Sequence, residues 1–410
     1  MAVCSRGKFA DITMRDWEPV QAGGESGMTA GDPLHPGIIF GGTGQRQDLM
    51  QNAIVPGTTS PTTPETIPAD LSVSADAAFP EARCAANAAA GPIVYLSSFD
   101  FAASASIVDV LVAEAKGYYD DLCLDVQLKP SFSVSNYPLI AANEAQFSSG
   151  GSFSEMADFA GENDAGFVAL AVEGRTGIDA LITKDGEVPT LESLRGTTIG
   201  VKGRITASVK AMLAKIGLIE GTDYNTVLLE GYDPLVHIQV PDIVGFPGYK
   251  SNEPNQLAAA GVKVKVYDPS DMGVPGSFGV LYTNSTFLTE FPTAAQDFMR
   301  ATMRGLADAI ADPAAAASVA MDAINANGNG MYLSPEGEAA RWKVESKIVS
   351  DGVTADAPLG LPLLDLLTDE VTTYTEIGLF DMVPDVASMI DTSVLLGIYA
   401  ADGTVIWPKR

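Results

Sequence analysis

The sequence predicts an α/β protein of two lobes joined by two extended crossings, with helices gathered in its C-terminal third. Three observations carry this. From Pro92 onward, short apolar runs alternate with segments of helical period, which implies mainly parallel sheets. A second series of the same kind follows the K-D-G-E turn at 184–187. Around 276–283 the chain turns back toward the first series, and helical periodicity dominates beyond it. At 410 residues and 46% apolar content, the chain exceeds one core and has ample material for two.

Residues 5–88 are rich in Gly, Pro, Thr, Ser and Asp without a sustained period. Their centre, P-G-T-T-S-P-T-T-P-E-T-I-P, cannot bury enough apolar area to offset its ordering entropy, so a flexible stalk is expected over 1–88. The first lobe is expected over 89–183. Its strands lie at 93–96, 124–128, 146–148, 167–172 and 179–183, and its helices at 107–115, 137–143 and 155–162. Ile107, Val108, Leu111 and Val112 share one helical face. The second lobe, 184–274, carries a helical turn at 191–194, then strands at 198–201, 226–229, 243–246 and 262–267. Between them lie helices at 207–216, ended by Gly217, at 234–238 and at 255–260. Residues 275–410 return to the first lobe and supply helices at 293–311, 314–325, 335–349 and 364–377. Two hinged lobes of this kind close on a ligand between them.

A formal charge of −28 argues against nucleic acid and anionic membranes as partners, because both need basic patches. It also means that an anionic ligand needs a local cationic anchor. No run of eighteen apolar residues occurs. The start, M-A-V-C-S, resembles part of a bacterial lipoprotein cleavage box, although Val3 replaces the usual small residue and no hydrophobic segment precedes Met1. A lipid anchor at Cys4 and a plain surface thiol both stay open. Cys84 and Cys123 flank the first βα unit, as a disulfide suited to an exported protein or as two buried thiols. Three scattered cysteines with His35 and His237 do not suggest zinc.

The most informative stretch is 240–254, V-P-D-I-V-G-F-P-G-Y-K-S-N-E-P. An apolar strand runs into a Gly/Pro turn presenting Tyr249, Asn252 and Glu253 at its carboxyl end, where open α/β sheets bind ligands. Glu253 can accept a hydrogen bond from an exocyclic amine, or cap the helix that starts at Pro254. Tyr249, Phe101 and Phe153 can stack on a flat heterocycle or serve as core. Ser149, Gly150, Gly151 and Ser152 let backbone amides approach a ligand at a helix start, or form a tight turn with Ser154 as cap. Arg204, with Thr206 at the next helix start, would suit an oxyanion, or is a solvated turn arginine. His237 reads as packing. No serine or cysteine has a motif-placed base, and phosphate-loop and dinucleotide fingerprints are absent.

Four segments together resemble the thiamine-pyrimidine-precursor branch of bacterial ABC-transporter solute-binding proteins, the NMT1/THI5-like group related to nitrate and alkanesulfonate binders. They are V-A-E-A-K-G-Y-Y-D-D-L-C-L-D-V at 112–126, T-L-E-S-L-R-G-T-T-I-G-V at 190–201, G-Y-K-S-N-E-P at 248–254, and D-M-G-V-P at 271–275 followed by L-Y-T-N-S-T-F-L. Asp100-Phe101 stands where the group has Asp-Trp, and Ile107 where it commonly has histidine. The resemblance implies a type II periplasmic-binding-protein fold and a monomer outside the cytoplasm. Such a protein passes a thiamine-related pyrimidine to an ABC permease without cofactor, metal or catalysis. It implies ligand contacts from Asp100, Phe101 and Ser152 on one side and Tyr249, Asn252 and Glu253 on the other. An oxyanion carrier using Arg204 and an extracytoplasmic enzyme on a pyrimidine are the alternatives.

Overall fold

The structure, a computed structural model, describes residues 68–327, 330 and 333–409. Cys4 and most of the expected stalk lie outside the described residues. Lobe 1 begins with α1 (Glu81–Ala88), β1 (Pro92–Leu96), α2 (Val108–Ala115), α3 (Tyr118–Asp121), β2 (Asp125–Lys129), α4 (Ser133–Ala141), β3 (Phe147–Gly150), α5 (Phe153–Asn163) and β4 (Phe167–Gly174). Lobe 2 holds β5 (Asp179–Lys184), β6 (Thr198–Val201), α6 (Ala207–Lys215), β7 (Asn225–Leu228), α7 (Pro234–His237), β8 (Gly245–Tyr249), α8 (Glu253–Ala259) and β9 (Val264–Tyr267). The chain returns through β10 (Phe278–Asn284), α9 (Ser285–Glu290), α10 (Pro292–Ala311), α11 (Pro313–Asn327), α12 (Pro335–Ser350), α13 (Leu364–Glu376) and α14 (Thr392–Leu396).

Two five-stranded sheets result, ordered β2-β1-β3-β10-β4 and β7-β6-β8-β5-β9. Within each, β1–β2, β1–β3, β6–β7 and β6–β8 pair in parallel. The strand that arrives from the other lobe runs against its neighbours: β10 against β3 and β4, and β5 against β8 and β9. A chain crossing a hinge enters the new sheet from the opposite end, which fixes that reversal. At the crossings Gly177 and Gly276 lie backbone to backbone, since a Cβ on Gly276 would sit 3.0 Å from the Gly177 Cα. This is the expected type II architecture, except that β5, expected to close lobe 1, belongs to the lobe 2 sheet, where it arrives across the hinge and pairs with β8 and β9.

The larger core lies under lobe 1, where Ile93, Tyr95, Phe147 and Leu281 meet the buried faces of α2 and α10. The two helices approach closely because residue 305 is glycine; a Cβ there would lie 2.2 Å from the Asp109 carbonyl. Lobe 2 has a smaller core around Leu181, Ile199, Val209, Met212 and Tyr224.

The stalk reading fails over 81–88, which form α1. That helix buries a polar face: Arg83 Nε lies 2.6 Å from Asp297, and Asn87 donates to Asp297 and to the Leu122 carbonyl. A helix held by buried charge leaves no apolar period to read. The Cys84 and Cys123 sulfurs are bonded, with Cα atoms 5.2 Å apart, tying α1 to the turn before β2. β8 runs two residues later than expected and includes Pro247 and Gly248. α4 starts four residues earlier, with Pro138 inside it.

Candidate functional site

Strand β8 delivers the lobe 2 rim, and its glycines are dictated by contact. A Cβ on Gly245 would meet the Ile182 carbonyl at 2.2 Å, and one on Gly248 would meet the Glu253 carboxyl at 2.9 Å. Glu253, the first residue of α8, folds back under the strand end. Its Oε2 accepts from the Tyr249 amide at 2.8 Å, and Lys202 Nζ lies 3.4 Å from its Oε1. It therefore satisfies the strand rather than capping its own helix. Glu253 is only 6% exposed, whereas Tyr249 keeps 36% of its surface open. The Tyr249 hydroxyl is pushed well up from its usual range by burial and by Glu155, Asp179, Glu253 and Glu345. The ring is thus open to a gap that protein surrounds. Asn252 is committed elsewhere: its Oδ1 accepts from Arg341 at 2.7 Å and from Gln256 at 2.8 Å.

The lobe 1 rim is more closed. Phe101 and Phe153 belong to the cores, so neither offers a stacking face. Asp100 sits in the left-handed region at φ 49° and accepts from the Phe101 amide; burial raises its carboxyl. Ser149 and Gly150 are within β3, and Ser149 Oγ accepts from the Ser98 amide at 2.6 Å and from the Tyr95 hydroxyl at 3.1 Å. Gly151 makes room for Glu155, whose Oε2 would lie 2.4 Å from a Cβ. Ser152, not Ser154, caps α5, accepting from the Glu155 amide. The helix start is not free for a ligand: the Ser154 amide donates to Glu370 Oε1 at 3.2 Å, and Glu370 Oε2 is buried without a partner.

Side chains cross between the lobes. Arg204, 68% exposed, reaches Asp158 of α5 at 3.2 Å. Thr206 Oγ1 is buried without a partner and caps nothing. Glu345 on α12 accepts from Ser251 of lobe 2 at 2.7 Å, and from Ser104 Oγ and the Ala105 amide of lobe 1, each at 2.8 Å. It works as a strut between them. Asp179, at the head of β5, accepts from Ser208 at 2.8 Å, and burial pushes its carboxyl up to about 7, with Glu155 and Glu253 adding to the rise. Glu155 is raised chiefly by burial and is relieved by Arg204.

Carboxylates therefore cluster around Tyr249, most of them buried, while the cations near the rims are already engaged: Lys202 with Glu253, Lys250 with Asp268, Arg204 with Asp158 and Arg341 with Glu338. Glu155, Asp179, Glu345 and Glu370 were not legible as site residues, since scattered acids carry no motif. One signal existed: Glu338, Arg341, Trp342 and Glu345 occupy one buried helical face of α12, where a plain core helix would be apolar throughout. Two recesses, 560 Å³ on lobe 2 beside Lys210 and Thr226 and 360 Å³ behind the hinge beside Arg175 and Asp369, touch none of the rim residues named above. Among the described residues no group of three or more His, Cys, Asp or Glu side chains could hold a metal ion.

Several known proteins are similar to this chain. The riboflavin-binding protein RibY of Chloroflexus aurantiacus is 32% identical over 126 residues, which cover 30% of this chain and 35% of RibY. The chain thus spans about a third of the length of that curated relative. The alkanesulfonate-binding protein SsuA from Xanthomonas axonopodis pv. citri, solved with MOPS bound, superposes with a TM-score of 0.54 at 12% identity, over 73% of this chain and 98% of SsuA. The periplasmic nitrate-binding protein NrtA from Synechocystis PCC 6803 gives 0.54 at 12% identity, over 74% of this chain and 87% of NrtA. At such identities the two structures speak for the fold alone. The sequence profile described as NMT1/THI5 like matches residues 104–316, just over half of the chain, so the protein belongs to the NMT1/THI5-like family.

Proposed function

We propose that this protein is the solute-binding component of an ABC importer, working outside the cytoplasm and closing over a small heterocycle. The observation that carries the reading is the local charge: Glu155, Asp179, Glu253 and Glu345 all lie near enough to the half-open Tyr249 to raise its hydroxyl, and Lys202, Lys250 and Arg204 are paired within the chain. Such a setting favours a flat ligand that is neutral or cationic and bears an amine, as a thiamine-related pyrimidine does. Tyr249 supplies the stacking face, and Glu253 accepts from the amine in place of the Lys202 ammonium. The Cys84–Cys123 bond fits an oxidising compartment. Family membership and the riboflavin-binding name of RibY support a ring-shaped solute. The ligand is released unaltered to a permease, and the binder acts as a monomer.

Native mass spectrometry of freshly purified protein tests this, followed by calorimetry with 4-amino-5-hydroxymethyl-2-methylpyrimidine. A retained ring compound, or binding that Glu253→Gln weakens, is expected. Turnover of the compound would mark the protein as an enzyme instead.

An oxyanion carrier is the second reading, favoured by the exposed guanidinium of Arg204 beside the start of α6 and by the names of SsuA and NrtA. It requires Arg204 to leave Asp158, and it places an anion among carboxylates. Tight binding of an alkanesulfonate, abolished by Arg204→Gln, would establish it over the first.

A further inference from the structure

We propose that Phe99, Phe132 and Tyr232 form an aromatic clasp beside the gap that grips the flat face of a fused-ring heterocycle; the proposal rests on the solute-binding reading above. The Phe132 and Tyr232 rings lie 16° from parallel with centroids 6.4 Å apart. Phe99 stands edge-on to both, at 5.7 Å and 5.8 Å. A flat ring held between two others needs their planes about 7 Å apart, twice the van der Waals thickness of a π system, so the jaws part to admit one. Phe132 is 40% and Tyr232 50% exposed, unlike the covered rings of either core.

Each jaw is held by its own lobe. Phe99 and Phe132 are bridged backbone to backbone, with the Asp100 amide donating to the Ser131 carbonyl at 2.7 Å and the Ser133 amide to the Ser98 carbonyl at 2.9 Å. Tyr232 sits on the turn between β7 and α7. There Asp233 caps α7 through the Leu235 amide, and the His237 imidazole lies 2.9 Å from the Glu230 carbonyl. His237, which the sequence marks only as packing, thus pins the turn that carries Tyr232. Because the jaws belong to different lobes, a ring held between them bridges the lobes, and its binding energy goes into closure.

Lys202 indicates the ligand's reach. Its Nζ lies 5.4 Å from the Tyr232 centroid and 3.4 Å from Glu253 Oε1, a cation resting between a ring and a carboxylate. A ligand that fills the clasp and also meets Glu253 displaces that ammonium and must be longer than one ring. The clasp therefore selects planar two- or three-ring systems with an N–H or amine edge over single pyrimidines.

The test compares lumichrome, three fused rings without a sugar chain, with 4-amino-5-hydroxymethyl-2-methylpyrimidine, one ring, on the full chain. Binding is read by calorimetry and by quenching of lumichrome emission, and folding by melting temperature. Expected are quenched emission, at least a tenfold rise in the lumichrome Kd in Phe132→Ala and in Tyr232→Ala, a Tyr232→Phe variant that keeps its affinity, and less than a twofold change for the one-ring compound. The clasp is overturned if lumichrome binds the unaltered protein no more tightly than the single ring, or if both alanine variants leave its Kd within twofold. If neither compound binds and no ligand is retained on purification, the solute site falls together with the clasp.

Discussion

The two rims of the inter-lobe gap are built from the same kind of strand–turn–helix unit, yet they spend their polar groups differently. On lobe 1, the turn after β3 is consumed by the protein itself: Ser152 caps α5, Glu370 takes the Ser154 amide, and Phe153 fills a core. On lobe 2, the turn after β8 leaves Tyr249 open to the gap, with Glu253 and Lys202 beside it. A motif brings residues to the right end of a strand, but burial decides whether they serve the fold or a guest. In the proposed reading, lobe 1 then supplies an acid wall and lobe 2 the face that would recognise the ligand.

The largest test of that contrast is Phe153→Ala. Phe153 is fully buried, so its truncation should cost about 3–5 kcal/mol of stability. Denaturant unfolding measures it, and a loss under about 1 kcal/mol would show that the lobe 1 turn is not framework. On lobe 2 the effect should move from stability to binding. Glu253→Gln keeps an acceptor for the Tyr249 amide but removes the charge, so affinity for an amine-bearing ring should fall by about 1.5–3 kcal/mol with little change in melting temperature. Calorimetry that finds unchanged affinity would erase the difference between the rims.

Much of the fold was legible because apolar periodicity is a local signal: β1, β4, β6, α6 and α10 fall within a few residues of their expected bounds. What periodicity cannot see is a buried polar face, and α1 and α12 are held by Arg83, Asn87, Glu338 and Glu345. The proposed site was half legible for the same reason. Tyr249 and Glu253 were marked by a turn with strong punctuation, whereas Glu155, Asp179 and Glu370 converge only through the tertiary fold. Phe101 and Phe153 look the same in sequence whether they stack on a ligand or on a core.

The acid wall makes a prediction in pH. Asp179 ordinarily titrates near 3.8 and is pushed up to about 7 by burial, against the hydrogen bond from Ser208 and with help from Glu155 and Glu253. Its folded value lies above its unfolded one, so the stability it contributes is complete below about pH 4 and is lost as pH rises through about 7. Asp109, pushed up to about 6 by burial, works in the same direction. Melting temperature should therefore fall by several degrees between pH 5 and pH 8, and Asp179→Asn should flatten part of that slope. Affinity for a cationic ring should move the opposite way, rising over the same interval as the wall acquires charge. A melting temperature that climbs with pH would remove the acid wall from the comparison.

The smallest effect is expected at Arg204, and it separates the two readings of the gap. Its own side of the pair with Asp158 is mostly exposed, a setting in which ion pairs are worth about 0–1 kcal/mol, so Arg204→Gln should leave unfolding nearly unchanged. Binding of an amine-bearing ring should hold or tighten slightly, because the substitution removes a positive charge from a site that prefers one in its guest. For an oxyanion the same change removes the exposed guanidinium beside the start of α6 and should abolish binding. The result that transfers recognition from the lobe 2 carboxylate to the lobe 2 guanidinium is thus a single calorimetric titration: a sulfonate that binds the unaltered chain tightly and Arg204→Gln not at all. In that case the carboxylates of lobe 1 would serve to hold the arginine until the guest arrives, and their removal by Asp158→Asn should raise the sulfonate affinity.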